Sequence, residues 1–176
     1  TPLKKCVQKF TGCPESCGLC PEHQQHTCLP VIEITTRCDL NCPICLKNPQ
    51  KLSDMTVKEF EYILDRLAAY EGTVHVINLS GGEPMLHADI ETLLRLPASK
   101  GVMQTTVSTN GLKLVADDHL RNVLRETETI VALQFDGFHP ETYQTLRGVD
   151  LAKEKQQLIR ILEDEVSPHS GMGMLD

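Results

Sequence analysis

No apolar run in the 176-residue chain approaches the length of a membrane span, and no secretory leader is visible. Basic residues are in short supply. Seventeen Lys and Arg stand against 24 Asp and Glu, for a formal net charge of −7. That balance gives no general attraction to nucleic acid or anionic lipid. Cysteine is absent after residue 45, and all eight cysteines lie before residue 46. Disulfides would staple distant parts of a domain, so crowding at one end reads as metal ligation. Exposed thiolate-bound iron needs a reducing compartment, and a cytoplasmic protein is expected. The remaining composition is 40% hydrophobic and 23% charged, ordinary for a globular chain long enough for one sizeable core.

Cys38, Cys42 and Cys45 sit at the spacing C-x3-C-x2-C, directly after the strand-like run Val31-Ile32-Glu33-Ile34-Thr35. Pro43 prevents this segment from continuing as a helix, so a short loop can turn three thiolates toward one centre. Three thiolates leave a four-iron cube one ligand short. An iron with an open position can bind and activate a small molecule. The same spacing recurs upstream at Cys13, Cys17 and Cys20, with Cys28 eight residues further on. Those four thiols suit a saturated second cluster or a structural zinc site. Cys6, His23 and His26 are alternative ligands, and Cys6 also reads as a free thiol.

Strand and helix signals alternate along the rest of the chain. Met55 to Tyr70 reads as a helix with a Thr56/Glu59 capping box, stopped at Gly72. Val74 to Leu79 reads as a buried strand running into Ser80-Gly81-Gly82-Glu83-Pro84. Ala88 to Leu96 reads as a short helix ended by Pro97, and Met103 to Thr109 as a third strand ending in an Asn110-Gly111 turn. Asp117 to Leu124 and Leu151 to Val166 read as helices, and Thr129 to Phe135 as a fourth strand. The stretch from His139-Pro140 through Tyr143 to Arg147-Gly148 reads as a loop. Such alternation predicts an α/β fold with a parallel sheet and right-handed crossovers. Reactive groups gather at the carboxyl ends of such strands. The cysteine loop, Gly81–Pro84, Ser108-Thr109-Asn110 and Gln134-Phe135-Asp136 all fall there.

The cysteine triad followed by Gly81-Gly82-Glu83-Pro84 resembles the signature of the radical S-adenosylmethionine (SAM) superfamily. The upstream triad is similar to a subgroup that includes tetraether lipid synthase and archaeal pterin methylase-like proteins. The resemblance covers roughly Cys6 to Arg160 and favours iron–sulfur over zinc for Cys13, Cys17, Cys20 and Cys28. It implies a partial (β/α) barrel of about four parallel strand–helix units. Residues 1–30 are then a Cys-rich auxiliary metal-binding segment, 31–166 the partial barrel, and 167–176 a tail. The superfamily usually builds six units. Four imply either a fragment or a barrel completed by another chain, with an exposed edge on the last strand.

The resemblance also implies an enzyme that uses a [4Fe–4S] cluster on Cys38, Cys42 and Cys45. It would cleave SAM reductively to a 5′-deoxyadenosyl radical for chemistry at an unactivated carbon, by carbon–carbon coupling or methylation. A small-molecule or lipid substrate and an electron donor such as ferredoxin or flavodoxin follow from it. Toward SAM it places Gly81, Gly82, Glu83 and Pro84, with Glu83 facing the ammonium. Ile44 stands near the adenine, where relatives have an aromatic ring. Gln134 takes a ribose position and Arg147 the SAM carboxylate, with Ser108 and Asn110 within range. Plainer readings stand beside these. The triad suits zinc, paired glycines mark any turn, and Arg147 suits a solvated loop. Gln134 suits a backbone cap, and Asp136-Gly137 a turn. His75, His87, His119 and His139 read as surface groups. The other class of function is an iron–sulfur electron-transfer or scaffold protein without turnover.

Overall fold

The computed structural model describes residues 27, 29–45 and 53–163. The expectations for Cys6, Cys13, Cys17, Cys20, Cys28, His23, His26 and the tail 167–176 lie outside the described residues.

Four strands form one parallel sheet in the order β1-β2-β3-β4. They are β1 (Val31–Thr35), β2 (Val76–Gly81), β3 (Gln104–Thr109) and β4 (Ile130–Leu133). The register pairs Ile32 with Leu79, Leu79 with Val107 and Val107 with Val131. Because side chains alternate along a strand, two faces of opposite character result. One face carries Ile32, Ile34, Ile77, Leu79 and Val107, all buried. The other carries Asn78, Ser80, Thr106 and Ser108, all half-buried. On that polar face Thr106 Oγ1 and Ser108 Oγ both donate to Asn78 Oδ1, at 3.0 and 3.2 Å.

The apolar face is covered by helices. α1 (Val57–Glu71) starts at the Thr56/Glu59 capping box, stops at Gly72, and buries Phe60 and Leu64. α2 (Ile90–Ser99) buries Leu93 and Leu94. α3 (Leu112–Ala116) is a single turn that buries Leu114. α4 (Asp118–Glu126), capped by Asp117, buries Leu120, Val123 and Leu124. α6 (Ala152–Ile161) brings Leu158 into the same core. Because the strands are parallel, their carboxyl ends all lie at one rim of the sheet.

Several expectations need correction. α2 does not end at Pro97 but runs through it to Ser99. A proline one turn from the end forfeits only the bond to the Leu93 carbonyl. The real stop is Gly101 at φ +80°, where Gly101 N–H donates to Ala98 O and Val102 N–H to Pro97 O. That pairing is a Schellman ending. The segment taken as a loop after His139 is a helix, α5 (Pro140–Arg147), with proline at its first turn and Gly148 after its last. Asn110-Gly111 leads straight into α3 rather than a plain turn. His87 is buried, its Nε2 on Met55 O and its Nδ1 accepting from Asp89 N–H.

Candidate functional site

The cysteine loop leaves β1 at the carboxyl rim. The Cys45 N–H donates to Cys42 O at 3.0 Å, closing a β-turn with Pro43 at its second position. Leu40 N–H points at Cys38 Sγ at 3.5 Å. Cys38 and Cys42 are half-buried and Cys45 is exposed. Ile44, at the tip of the turn, is 50% exposed. Among the described residues no three His, Cys, Asp or Glu side chains converge on one ion position. A single zinc would need that convergence. A four-iron cube receives each thiolate on a different iron, and Cys38, Cys42 and Cys45 all lie on the one loop that leaves β1. The Leu40 N–H at Cys38 and the Arg147 guanidinium near Cys42 put donors beside two of the three sulfurs.

The Gly81–Pro84 segment is bonded to this loop. Gly82 N–H donates to Thr35 O at 2.7 Å and Glu83 N–H to Arg37 O at 2.6 Å. The glycines make that approach possible. A β-carbon on Gly81 would lie 2.2 Å from Thr35 O, and one on Gly82 would lie 2.0 Å from Arg37 O. What the two glycines admit, in this structure, is the chain's own backbone. Pro84 opens a short 3-10 turn, Pro84–Leu86, capped by Glu83.

Glu83 is buried, with 1% exposure. Its carboxylate accepts from Met85 N–H at 3.0 Å, Thr109 Oγ1 at 2.6 Å and Asn110 N–H at 2.7 Å. Burial pushes its carboxyl above the usual range, against the pull of those three donors, and Asp39 adds to the rise. Asn110 is a hub. Its backbone N–H goes to Glu83, its Nδ2 to Asp39 Oδ1 at 2.6 Å, and its Oδ1 accepts from Leu112 N–H. It thereby joins the end of β3 to the cysteine loop. Ser108 lies two residues before Asn110, on the polar face, bonded to Asn78.

At the end of β4, Gln134 N–H donates to Thr109 O, and its Nε2 donates to Asp136. Arg147, at the end of α5, grips Asp136 with two parallel bonds, Nε at 2.7 Å and an NH2 nitrogen at 2.6 Å. Its guanidinium also meets Cys42, and Asp136 above all holds it protonated. Arg147 is therefore an ion-pair partner and not a solvated loop charge. Asp136, read from sequence as a turn residue, is the carboxylate that fixes it.

The structure thus brings Cys38, Cys42, Cys45, Gly81, Gly82, Glu83, Pro84, Asn110, Gln134 and Arg147 to one rim. Ser108 sits just below it, and Ile44 projects from it. The sequence reading set Thr109 and Asp136 at this rim without giving either a role, and it missed Asp39 and Lys155. Lys155 Nζ donates to the backbone carbonyls of Asn110 and Gln134, and it is fully buried. A signal for it existed. Ala152, Lys155 and Leu158 recur at a three-residue step, which puts the lysine on the buried stripe of α6.

Comparison with known proteins places this geometry. The description of the radical SAM superfamily matches residues 32–175. The chain is 36% identical over 151 residues to 7,8-dihydro-6-hydroxymethylpterin dimethyltransferase of Methanocaldococcus jannaschii, covering 84% of this chain and 30% of that one. It is 27% identical to a GTP 3′,8-cyclase of Aquifex aeolicus, covering 75% of this chain and 43% of the relative. Among solved structures, Streptococcus suis SuiB bound to S-adenosylmethionine superposes with a TM-score of 0.60 at 25% identity, over 75% of this chain and 29% of SuiB. The chain spans less than half the length of these relatives. The family implies a [4Fe–4S] cluster and SAM. With four parallel strand–helix units and its cysteine loop clamped to Gly81–Pro84, this chain belongs to the radical SAM superfamily.

Proposed function

We propose that this chain carries the cluster loop and the SAM-binding rim of a radical SAM enzyme. The observation that supports this most is the pair of backbone bonds joining residues 35–37 to Gly82 and Glu83. They place the thiols and the glycine segment on the same rim. Cys38, Cys42 and Cys45 would hold the cluster, whose bound chemistry is one-electron cleavage of SAM to a 5′-deoxyadenosyl radical. The chain's own residues hold and shield that centre. Arg147 offsets thiolate charge beside Cys42, and the Leu40 N–H does the same at Cys38. Glu83 has three of its roughly four lone-pair positions filled by this chain and keeps one for the SAM ammonium. Gly81, Gly82 and Pro84 shape the adjoining wall. Gln134, Ser108 and Asn110 offer polar contacts, Arg147 a carboxylate partner, and Ile44 an apolar surface for the adenine.

The substrate reading is chemistry at an unactivated carbon. The M. jannaschii relative, a pterin dimethyltransferase, favours methylation of a pterin-like ring over coupling of lipid tails. Residues 1–30 are proposed as the auxiliary segment, with a second iron–sulfur cluster on Cys13, Cys17, Cys20 and Cys28. An electron donor such as ferredoxin or flavodoxin, and further strands completing the barrel, belong to the same reading.

Anaerobic reconstitution with iron and sulfide, then dithionite and SAM, tests it. The expected product is 5′-deoxyadenosine. A reducible cluster without SAM cleavage would instead support an electron-transfer or scaffold role. In C42A, SAM cleavage is expected to vanish while the electron paramagnetic resonance signal of the upstream cluster remains. Zinc without acid-labile sulfide in the wild-type chain overturns the reading.

A further inference from the structure

Lys155 is a charged side chain on the buried stripe of α6, and nothing in the reaction proposed above uses it. Its three N–H donors are all placed. They go to Asn110 O, to Gln134 O at 2.7 Å and to Gln134 Oε1 at 3.2 Å. The ammonium therefore ties together the carboxyl ends of β3 and β4. It also decides which way the Gln134 amide faces. With Oε1 on the ammonium, the amide N–H donates to Asp136. Asp136 in turn grips Arg147, which meets Cys42. Lys155, Gln134, Asp136 and Arg147 thus form a hydrogen-bonded relay from the helix layer to a guanidinium that interacts electrostatically with Cys42 of the cysteine loop.

We infer that Lys155 is a positioning residue for the SAM rim: by orienting Gln134 it fixes Asp136, and through Asp136 the pose of Arg147 against the cysteine loop. The side chain can do this because it has one pose available. A fully buried ammonium cannot exchange its acceptors for water. Reversing the Gln134 amide would set N–H against ammonium and oxygen against carboxylate, so the relay has one polarity. The charges facing Lys155 are Asp136, Glu83, Asp39 and Arg147, and the three carboxylates favour its charged form. The inference rests on the proposed SAM site for its purpose, while the relay itself is visible without SAM.

The test uses the full chain, labelled with 15N and free of iron, and follows hydrogen exchange at the Arg147 Nε–H. K155M keeps the length of the side chain and removes all three donors. Exchange should speed up roughly three- to tenfold in K155M and in Q134A, as expected for loss of one hydrogen-bonded support. The double variant should exchange no faster than K155M alone, since both act on one path. Additive effects, or an unchanged Arg147 signal in folded K155M, overturn the relay. Should K155M fail to fold, Q134A decides: an unchanged Arg147 signal there overturns it. A second arm measures SAM affinity in reconstituted protein at equal iron content. Weaker binding in K155M supports the positioning role, and equal binding overturns it. If the wild-type chain binds no SAM, the functional reading falls, and the exchange data alone decide the relay.

Discussion

Glu83 has a carboxylate that most chains would leave in water, yet here it is buried behind three donors of its own chain. The arrangement fixes its chemistry. Oε1 receives Met85 N–H and the Thr109 hydroxyl, and Oε2 receives Asn110 N–H. In E83Q one oxygen becomes an amide N–H2. In either orientation that group then faces a buried backbone N–H and leaves it unsatisfied. The expected loss is about 1–3 kcal/mol, read as a lower urea midpoint. An unchanged midpoint would mean that the carboxylate does not hold the rim. The sequence marked Glu83 through its motif, but not these partners. Thr109 and Asn110 lie 26 and 27 residues away, and only the β2–β3 register brings them close.

Strand and helix ends carry the site because two backbone segments approach each other closely. The Gly81–Pro84 segment crosses the start of the cysteine loop with no room for a side chain. A β-carbon at Gly82 would meet the Arg37 carbonyl, which is backbone and cannot rotate away. G82A is therefore expected to lose about 3 kcal/mol, the upper part of the range for overpacking. G101A is a useful comparison. Gly101 has φ +80° but open space around it, so only the left-handed strain of about 1–2 kcal/mol applies. Thermal melts of the two should differ in that order, and equal losses would sink the close-approach account. Elements with a strong period were legible from sequence. α1, with Phe60 and Leu64 inward and its capping box, is the clearest. α5 was not legible, because Tyr143 alone is buried on it and one residue makes no stripe. Its flanking Pro140 and Gly148 were the available signal. Lys155 was hidden for the opposite reason. A lysine on an apolar stripe normally extends its ammonium to water, and only the tertiary placement of the β3 and β4 carbonyls keeps this one inside.

The molecule as described is a sheet with a helix-covered apolar face and a polar face; its outer strand β4 pairs on one side only, while the far side of β1 carries a short antiparallel bridge from Thr35 to Asp54. The β4 edge leaves a row of backbone groups open to pairing, and the chain spans less than half the length of the relatives it matches. Lys155 links the helix layer to the sheet, so its titration should be felt by the whole fold. Burial draws its pKa from 10.5 down to about 8, against the pull of Asp136 and Glu83. The folded state thus releases this proton before the unfolded chain does. Between about pH 8 and 10.5 the unfolded chain holds more protons, and stability from this group rises with pH. Complete expression of that shift would give at most roughly 3 kcal/mol, and the three carbonyl acceptors, which favour the ammonium, reduce it. Tyr143 works in the opposite direction. Burial raises its phenol, so its contribution falls as pH passes the ordinary tyrosine value. The difference in unfolding free energy between wild type and K155M removes the tyrosine from the comparison. Urea unfolding from pH 7 to 10 should show that difference growing in favour of the wild type. A difference that stays flat across the range would mean that the carbonyl acceptors and the carboxylates offset the burial of Lys155 in full, so that its folded pKa stays near 10.5 and the predicted pH dependence fails.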